Sequence, residues 1–319
     1  MNSLALNLNT TLTNTLNFNE ELLENYKKHL QVSNASQETY LNGAKHFINF
    51  ANERNITSEL VLDYRTHLIN NYKATAINSY IVSLKQFFNF LEGLGFPNYA
   101  KELRGVRTSK KHKRDSLTIE QVKTIFNNTN SNTEEQARAR ALIKLLIGTG
   151  LRTIEVVNAN ISDMQTIGNE RVLYIQGKGF NNAKENLSDY VILKPSVINA
   201  IQDYLRYRPG AKDSEPLFTS VSDRNKGERL TTRTIRNIVK NLYKQNGIIS
   251  ERITTHSTRH TAITLSLVNG ASIQEAQQLA RHTNINTTMI YAHNIDRLNN
   301  NAESKLEELL ESIEQERGK

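Results

Sequence analysis

The chain has 319 residues and a formal net charge of +8, with a pI of about 9.4. That length exceeds the need of one ordinary domain, so two are expected, and the basic balance favours a polyanionic partner, nucleic acid first. The absence of cysteine excludes disulfides, a thiol nucleophile and cysteine-held zinc or iron–sulfur, and no apolar run approaches the roughly 20 residues of a membrane span.

Residues 1–17 are rich in Asn and Thr and carry no basic n-region, so they read as a mobile arm rather than a signal peptide. Residues 18–100 read as four helices. The first is "NEELLENYKKHL". In "SQETYLNGAKHFINFANER", Tyr40, Ala44, Phe47, Ile48 and Ala51 share one face at helical spacing. "TSELVLDYRTHLINN" follows, with Thr57 as N-cap. In "ATAINSYIVSLKQFFNFLEGLG", Ile77, Tyr80, Ile81, Leu84, Phe87, Phe88 and Leu91 make the apolar face, and Gly93 and Gly95 stop the helix. Residues 101–115 read as a basic linker. Within it "KELRGVRTSKKHKR" holds seven Lys or Arg and one Glu. A solvated charge run is the plain reading; a strap on phosphates is the sharper one, with Lys110, Lys111, Lys113 and Arg114 as contacts.

A second domain is expected over 116–297. Thr118 and Gln121 form a capping-box pattern, and the helix "ARALIKLLIGTG" closes at Gly148 or Gly150. "RVLYIQ" and "SDYVIL" read as the two strands of a hairpin. Helices follow in "PSVINAIQDYLRY", "TTRTIRNIVKNLYKQNG", "TRHTAITLSLVNG", "SIQEAQQLARHT" and "NTTMIYAHN". Residues 298–319 form an acidic tail with an apolar stripe of Leu306, Leu309, Leu310 and Ile313. The fold class expected is mainly α, with a small sheet in the second domain.

"HSTRH" (256–260) puts a polar cluster at the mouth of an apolar helix, which is costly unless something needs it. His256 and Arg259 are three apart and share a helix face; His260 is expected to face elsewhere, in a structural role. The pair His256 and His260 could also suit a metal, but a zinc peptidase would want Glu where Ser257 stands. "TGLRTIE" (149–155), "GKG" (177–179), "HSTRH" and "ARHTNINTTMIYAH" (280–293), in this order and spacing, resemble the tyrosine recombinase (phage integrase) family. The resemblance covers nearly the whole chain, and its two-domain plan is similar to the Xer and transposon-encoded members. It implies an N-terminal four-helix SAM-like core-binding domain and a C-terminal catalytic domain.

The chemistry it implies uses neither metal nor cofactor. A tyrosine attacks a DNA phosphodiester and joins the 3′-phosphate. The 5′-hydroxyl leaves, and a partner strand later reverses the step. Such phosphoryl transfer rests on positioning and on neutralising the equatorial oxygens, for which paired arginines are suited. Residue by residue, Arg152 and Arg259 match that pair, and Glu155 the residue orienting Arg152. His256 matches a general base or phosphate donor, His282 a phosphate donor, Lys178 the general acid and Tyr291 the nucleophile. Lys184 is a rival to Lys178, because the hairpin loop is longer than the family's. The family usually has Gly before its last His; here stands Arg281, for which contact with DNA, contact with a neighbouring subunit and mere tolerance are the open readings. Base readout is expected from the helix bearing Ser79, Ser83 and Lys85, and from the helix bearing Arg233 and Arg236.

The implied partners are double-stranded DNA with an inverted-repeat core site, three further copies in a synaptic tetramer passing through a Holliday junction, and accessory DNA-bending or directionality proteins. The expected setting is the bacterial cytoplasm, away from membranes. The tail would dock on the next protomer. A non-cutting DNA binder of the same fold and a type IB topoisomerase are the competing readings.

Overall fold

A computed structural model describes residues 20–108, 115–175, 189–299, 306–311 and 313. The chain divides into two compact units, Met1–Lys111 and His112–Lys319. Among the described residues no helix is long and apolar enough to cross a membrane.

The first unit holds α1 (Glu20–His29), α2 (Asn34–Ala51), α3 (Ser58–Asn71) and α4 (Ala74–Gly93). Thr57 caps α3 by accepting the Leu60 N–H at 3.2 Å, as its side chain predicts. The expected faces are the buried ones: Ala44, Phe47 and Ala51 on α2, and Ile77, Ile81, Leu84, Phe87, Phe88 and Leu91 on α4. Tyr40, Ile48 and Tyr80 lie partly buried at the edge of the same core. α2 and α4 approach closely at Gly43, where an added Cβ would sit 2.2 Å from the Ser83 Cβ. Only glycine permits this approach. Ser83 itself is 1% exposed and donates to Ser79 O at 3.0 Å. It packs the helix pair and is not available for base readout, which corrects the sequence expectation. The front of the basic stretch is also tied to this unit. Lys85 donates to Lys101 O, Arg65 to Arg104 O, and Asn78 bonds both the N–H and C=O of Val106.

The second unit holds α5 (Ile119–Asn128), α6 (Glu134–Thr149), α7 (Thr153–Asn158), β1 (Met164–Ile167), β2 (Glu170–Tyr174), β3 (Tyr190–Leu193), α8 (Pro195–Leu205), α9 (Thr232–Gln245), α10 (His256–Val268), α11 (Ile273–Ala280) and α12 (Asn286–Asn299). Thr118 and Gln121 make the expected capping box at α5. α6 is the central helix, with ten buried residues including Leu142, Leu145 and Leu146. It packs on α8, α9 and α10. The expected hairpin is present: β2 and β3 pair antiparallel, with Arg171 opposite Leu193 and Tyr174 opposite Tyr190. β1 extends the sheet to the order β1-β2-β3, a strand too short and too exposed to show in the sequence pattern. A segment around residues 306–313 is helical where described. Leu306, Leu309, Leu310 and Ile313 are 46–55% exposed there.

Candidate active site

The site begins where α6 stops. Gly150 takes the left-handed conformation at φ 64° and its N–H bonds Leu146 O, ending the helix without Cβ strain. The chain then turns at Leu151 and starts α7. Arg152 is the N-cap of α7, and Glu155 is three residues on, as in a capping box. Glu155 Oε2 accepts the Arg152 N–H at 2.7 Å, and Oε1 accepts Arg152 Nη1 at 2.8 Å. Glu155 is 2% exposed. One buried carboxylate therefore fixes both the backbone and the guanidinium of Arg152.

α10 supplies the second arginine. Its first turn is polar yet buried: Ser257, Thr258, Arg259, His260 and Thr261 are all within the protein. Thr261 accepts the Leu117 N–H at 2.8 Å, which pins α10 to the start of the domain. Arg259 Nη1 donates to Gly150 O at 2.8 Å and Nη2 to Ala280 O. The guanidinium thus links the end of α6 to the end of α11. His256 is exposed at the mouth, and its ring meets that of His260 edge to face at 4.8 Å.

α11 and α12 close the site. Arg281 ends α11 at φ 51°. His282 follows, its N–H on Gln277 O at 3.1 Å and its Nδ1 2.9 Å from the buried Thr288 hydroxyl. Tyr291, on α12, is 7% exposed and packs with Ile263, Ala276 and Ala280. Its hydroxyl is hydrogen-bonded to His260 Nδ1.

The electrostatics show how tightly these cations are gathered. Burial, then the charges of Arg152 and Arg281, bring the Arg259 pKa down to about 10. Burial, then Arg259, Arg152, Arg281 and His256, bring His282 down to about 4, so it is neutral at neutral pH. Burial pushes the Tyr291 phenol up to about 12, opposed by the Arg259 charge. A cluster of cations around one carboxylate is suited to receive an anion with several oxygens.

Of the residues expected from sequence, Arg152, Glu155, His256, Arg259, His282 and Tyr291 come together. Lys178, its rival Lys184, and Lys110, Lys111, Lys113 and Arg114 lie outside the described residues. Lys85 belongs to the first unit. Arg233 and Arg236 lie exposed on α9. His260 is a correction. It was expected to face elsewhere, yet residues four apart on a helix share a face as surely as residues three apart, and His260 holds the tyrosine hydroxyl. Arg281, read from sequence as a contact to DNA or a neighbouring subunit or as merely tolerated, is instead turned inward. Its guanidinium pairs with Glu155 Oε2 at 2.6 Å. The signal was there, in an arginine where the resemblance leads one to expect glycine.

Residues 115–297 match the phage integrase family, and residues 20–93 match the phage integrase N-terminal SAM-like domain. The chain belongs to the phage integrase family, the family of the tyrosine recombinases. A tyrosine recombinase XerC of Caldanaerobacter subterraneus subsp. tengcongensis is 33% identical over 219 residues, 67% of this chain and 57% of that protein. The match therefore spans less than two thirds of that relative's length. A tyrosine recombinase XerD of Halalkalibacterium halodurans is 28% identical over 294 residues, 89% of this chain and 94% of that one. In structure, the chain is similar to the XerH site-specific recombinase bound to palindromic difH substrate, with a TM-score of 0.66 and 21% identity over 89% of this chain and 84% of that one. It is also similar to the Tn1549 transposon integrase in complex with circular intermediate DNA, with a TM-score of 0.61 and 18% identity over 85% and 94%. These two likenesses show the shared fold.

Proposed function

We propose that the protein is a site-specific DNA recombinase that cuts and rejoins strands through a 3′-phosphotyrosine. The observation that carries this reading is the meeting of Tyr291, from α12, with the cluster of Arg152, Arg259 and His282, drawn from three other places in the fold. The Tyr291 oxygen attacks phosphorus, the bond from phosphorus to the 5′-oxygen breaks, and the 5′-oxygen leaves with a proton. Arg152 and Arg259 neutralise the equatorial oxygens. In the neutral His282 tautomer with its proton on Nε2, Nδ1 accepts from the Thr288 hydroxyl 2.9 Å away and Nε2 donates to the phosphate.

The nucleophile's proton needs an acceptor. A phenol with a pKa of about 12 costs about 6 kcal/mol to ionise at pH 7.5, at 1.36 kcal/mol per unit. A free phenolate is therefore too dear, and attack is coupled to proton transfer. His260 Nδ1 is in contact with the hydroxyl, so it takes the proton, and His256 stands at the mouth to meet the phosphate. The resemblance assigns protonation of the leaving oxygen to Lys178, with Lys184 as its rival.

Family membership and the tail's exposed stripe support the wider reading. Four protomers act on two inverted-repeat sites through a Holliday junction, with the tail helix docking on the next copy. The exposed Arg233 and Arg236 of α9, Lys85, and the stretch with Lys110, Lys111, Lys113 and Arg114 contact backbone phosphates, which makes binding steeply salt-dependent. The job is integration, excision or resolution of a mobile element or replicon, assisted by DNA-bending or directionality proteins. The test is incubation with nicked duplexes tiled from the DNA flanking the gene, in EDTA. An SDS-resistant adduct on one duplex supports the reading and locates the site. Tight salt-sensitive binding without an adduct indicates a non-cutting binder, and cleavage without sequence preference indicates a topoisomerase.

A further inference from the structure

Arg281 stands in an unfavourable place twice over. Its φ of 51° lies in the left-handed region that a Cβ disfavours and glycine relieves. Its side chain is only 9% exposed, and a guanidinium withdrawn from water is unfavourable unless its donors are met. Nη2 donates to Glu155 Oε2 at 2.6 Å and Nη1 to Leu279 O at 3.3 Å, while Nε makes no hydrogen bond and is compensated only by an ion pair with Asp189 at 3.5 Å. Glu155 spends its other oxygen on Arg152. Asp189 sits just ahead of β3, where its C=O accepts the Ile175 N–H at 3.1 Å. One guanidinium thus joins α7, the hairpin and the turn that carries His282.

We infer that Arg281 is a positioning residue for strand transfer: it holds Glu155, Glu155 holds Arg152, and the spacing of Arg152 and His282 about the scissile phosphate is set through this chain. The inference rests on the recombinase reading. Arg281 does not touch DNA; it acts through a carboxylate already committed to the arginine that does. The planar fork matters, because its separate nitrogens face Glu155 and Asp189 in a fixed geometry, which the flexible point charge of an ammonium does not reproduce.

The experiment measures the maximal rate of adduct formation, and the DNA concentration for half that rate, on the nicked duplex selected with the wild-type protein. The variants are Arg281→Gly, Arg281→Lys, Glu155→Gln and the double variant Glu155→Gln/Arg281→Gly. Each is assayed at a temperature where circular dichroism shows it folded, with Arg281→Gln replacing Arg281→Gly should the latter not fold. Arg281→Gly is expected to lower the maximal rate by about ten- to a hundredfold, with half-saturation moved by less than about twofold. Arg281→Lys is expected to fall between it and wild type. In the Glu155→Gln background the same removal is expected to cost less than about threefold more, because the two residues act in series. A wild-type maximal rate in Arg281→Gly overturns the inference. So does a loss that multiplies fully with Glu155→Gln, or one that appears in half-saturation, since either means that Arg281 meets the DNA itself. A wild-type protein that forms no adduct on any duplex overturns the recombinase reading first, and the positioning role with it.

Discussion

His282 offers a prediction that needs no DNA. Its pKa is brought from 6.5 to about 4, first by burial and then by Arg259, Arg152, Arg281 and His256. In the unfolded chain it returns to about 6.5. The folded pKa is the lower of the two, so between about 4 and 6.5 the unfolded state holds more protons. Stability from this residue is therefore complete above pH 6.5 and is lost as pH falls toward 4. The full shift of about 2.5 units corresponds to about 3.4 kcal/mol, and at pH 5 the linkage integral gives about 2 kcal/mol. His282 is partly exposed, so screening reduces this to about 1 kcal/mol. The assay is urea unfolding of wild type and His282→Asn at pH 7.5 and pH 5.0. Wild type should lose about 1 kcal/mol more than the variant across that interval. Equal losses would refute the argument that neighbouring cations and burial hold His282 neutral.

Three further outcomes follow from other parts of the molecule. Gly43→Ala places a Cβ 2.2 Å from that of Ser83 and should destabilise the first unit by about 1–3 kcal/mol; Ser83→Gly in the same chain should restore part of the loss in a urea titration. Arg259→Lys removes the fork that spans Gly150 O and Ala280 O and should slow adduct formation by about 10²–10³-fold, while a filter-binding assay finds DNA affinity little changed. Deleting residues 302–319 should leave binding to a single site intact and lower strand exchange between two sites; unchanged recombination on a two-site plasmid would remove the tail from the account.

Much of this was legible because local physics and global fold agree. The apolar faces of α2 and α4, the caps at Thr57 and Thr118 and the β2–β3 hairpin each follow from spacing that only one element satisfies, and of the two glycines that could stop α6 the structure uses Gly150. β1 was not legible, since its four residues are mostly exposed and show no apolar alternation. Residues 206–231 contain no named helix or strand. They are ordered in part by long-range contacts, among them the bridge Asn160–Pro216 and the buried Arg138 on Thr219 O, which no local window reports. Ser83 read as a polar residue fit for DNA, but its burial is dictated by Gly43 on another helix. In the site, the motifs named Arg152, His256, Arg259, His282 and Tyr291. They could not give His260 and Arg281 their parts, because the partners, Tyr291 and Glu155, are distant in sequence and meet them only in the fold.

The central claim is that Tyr291 forms a covalent bond to a DNA 3′-phosphate. The most direct measurement is mass spectrometry of the adduct trapped on a nicked duplex in EDTA, digested with nuclease and protease, with Tyr291→Phe in parallel. The account predicts a nucleotide joined through its 3′-phosphate to the peptide containing Tyr291, and no adduct in the Phe variant. An adduct on another residue, or one that persists in Tyr291→Phe, would contradict it.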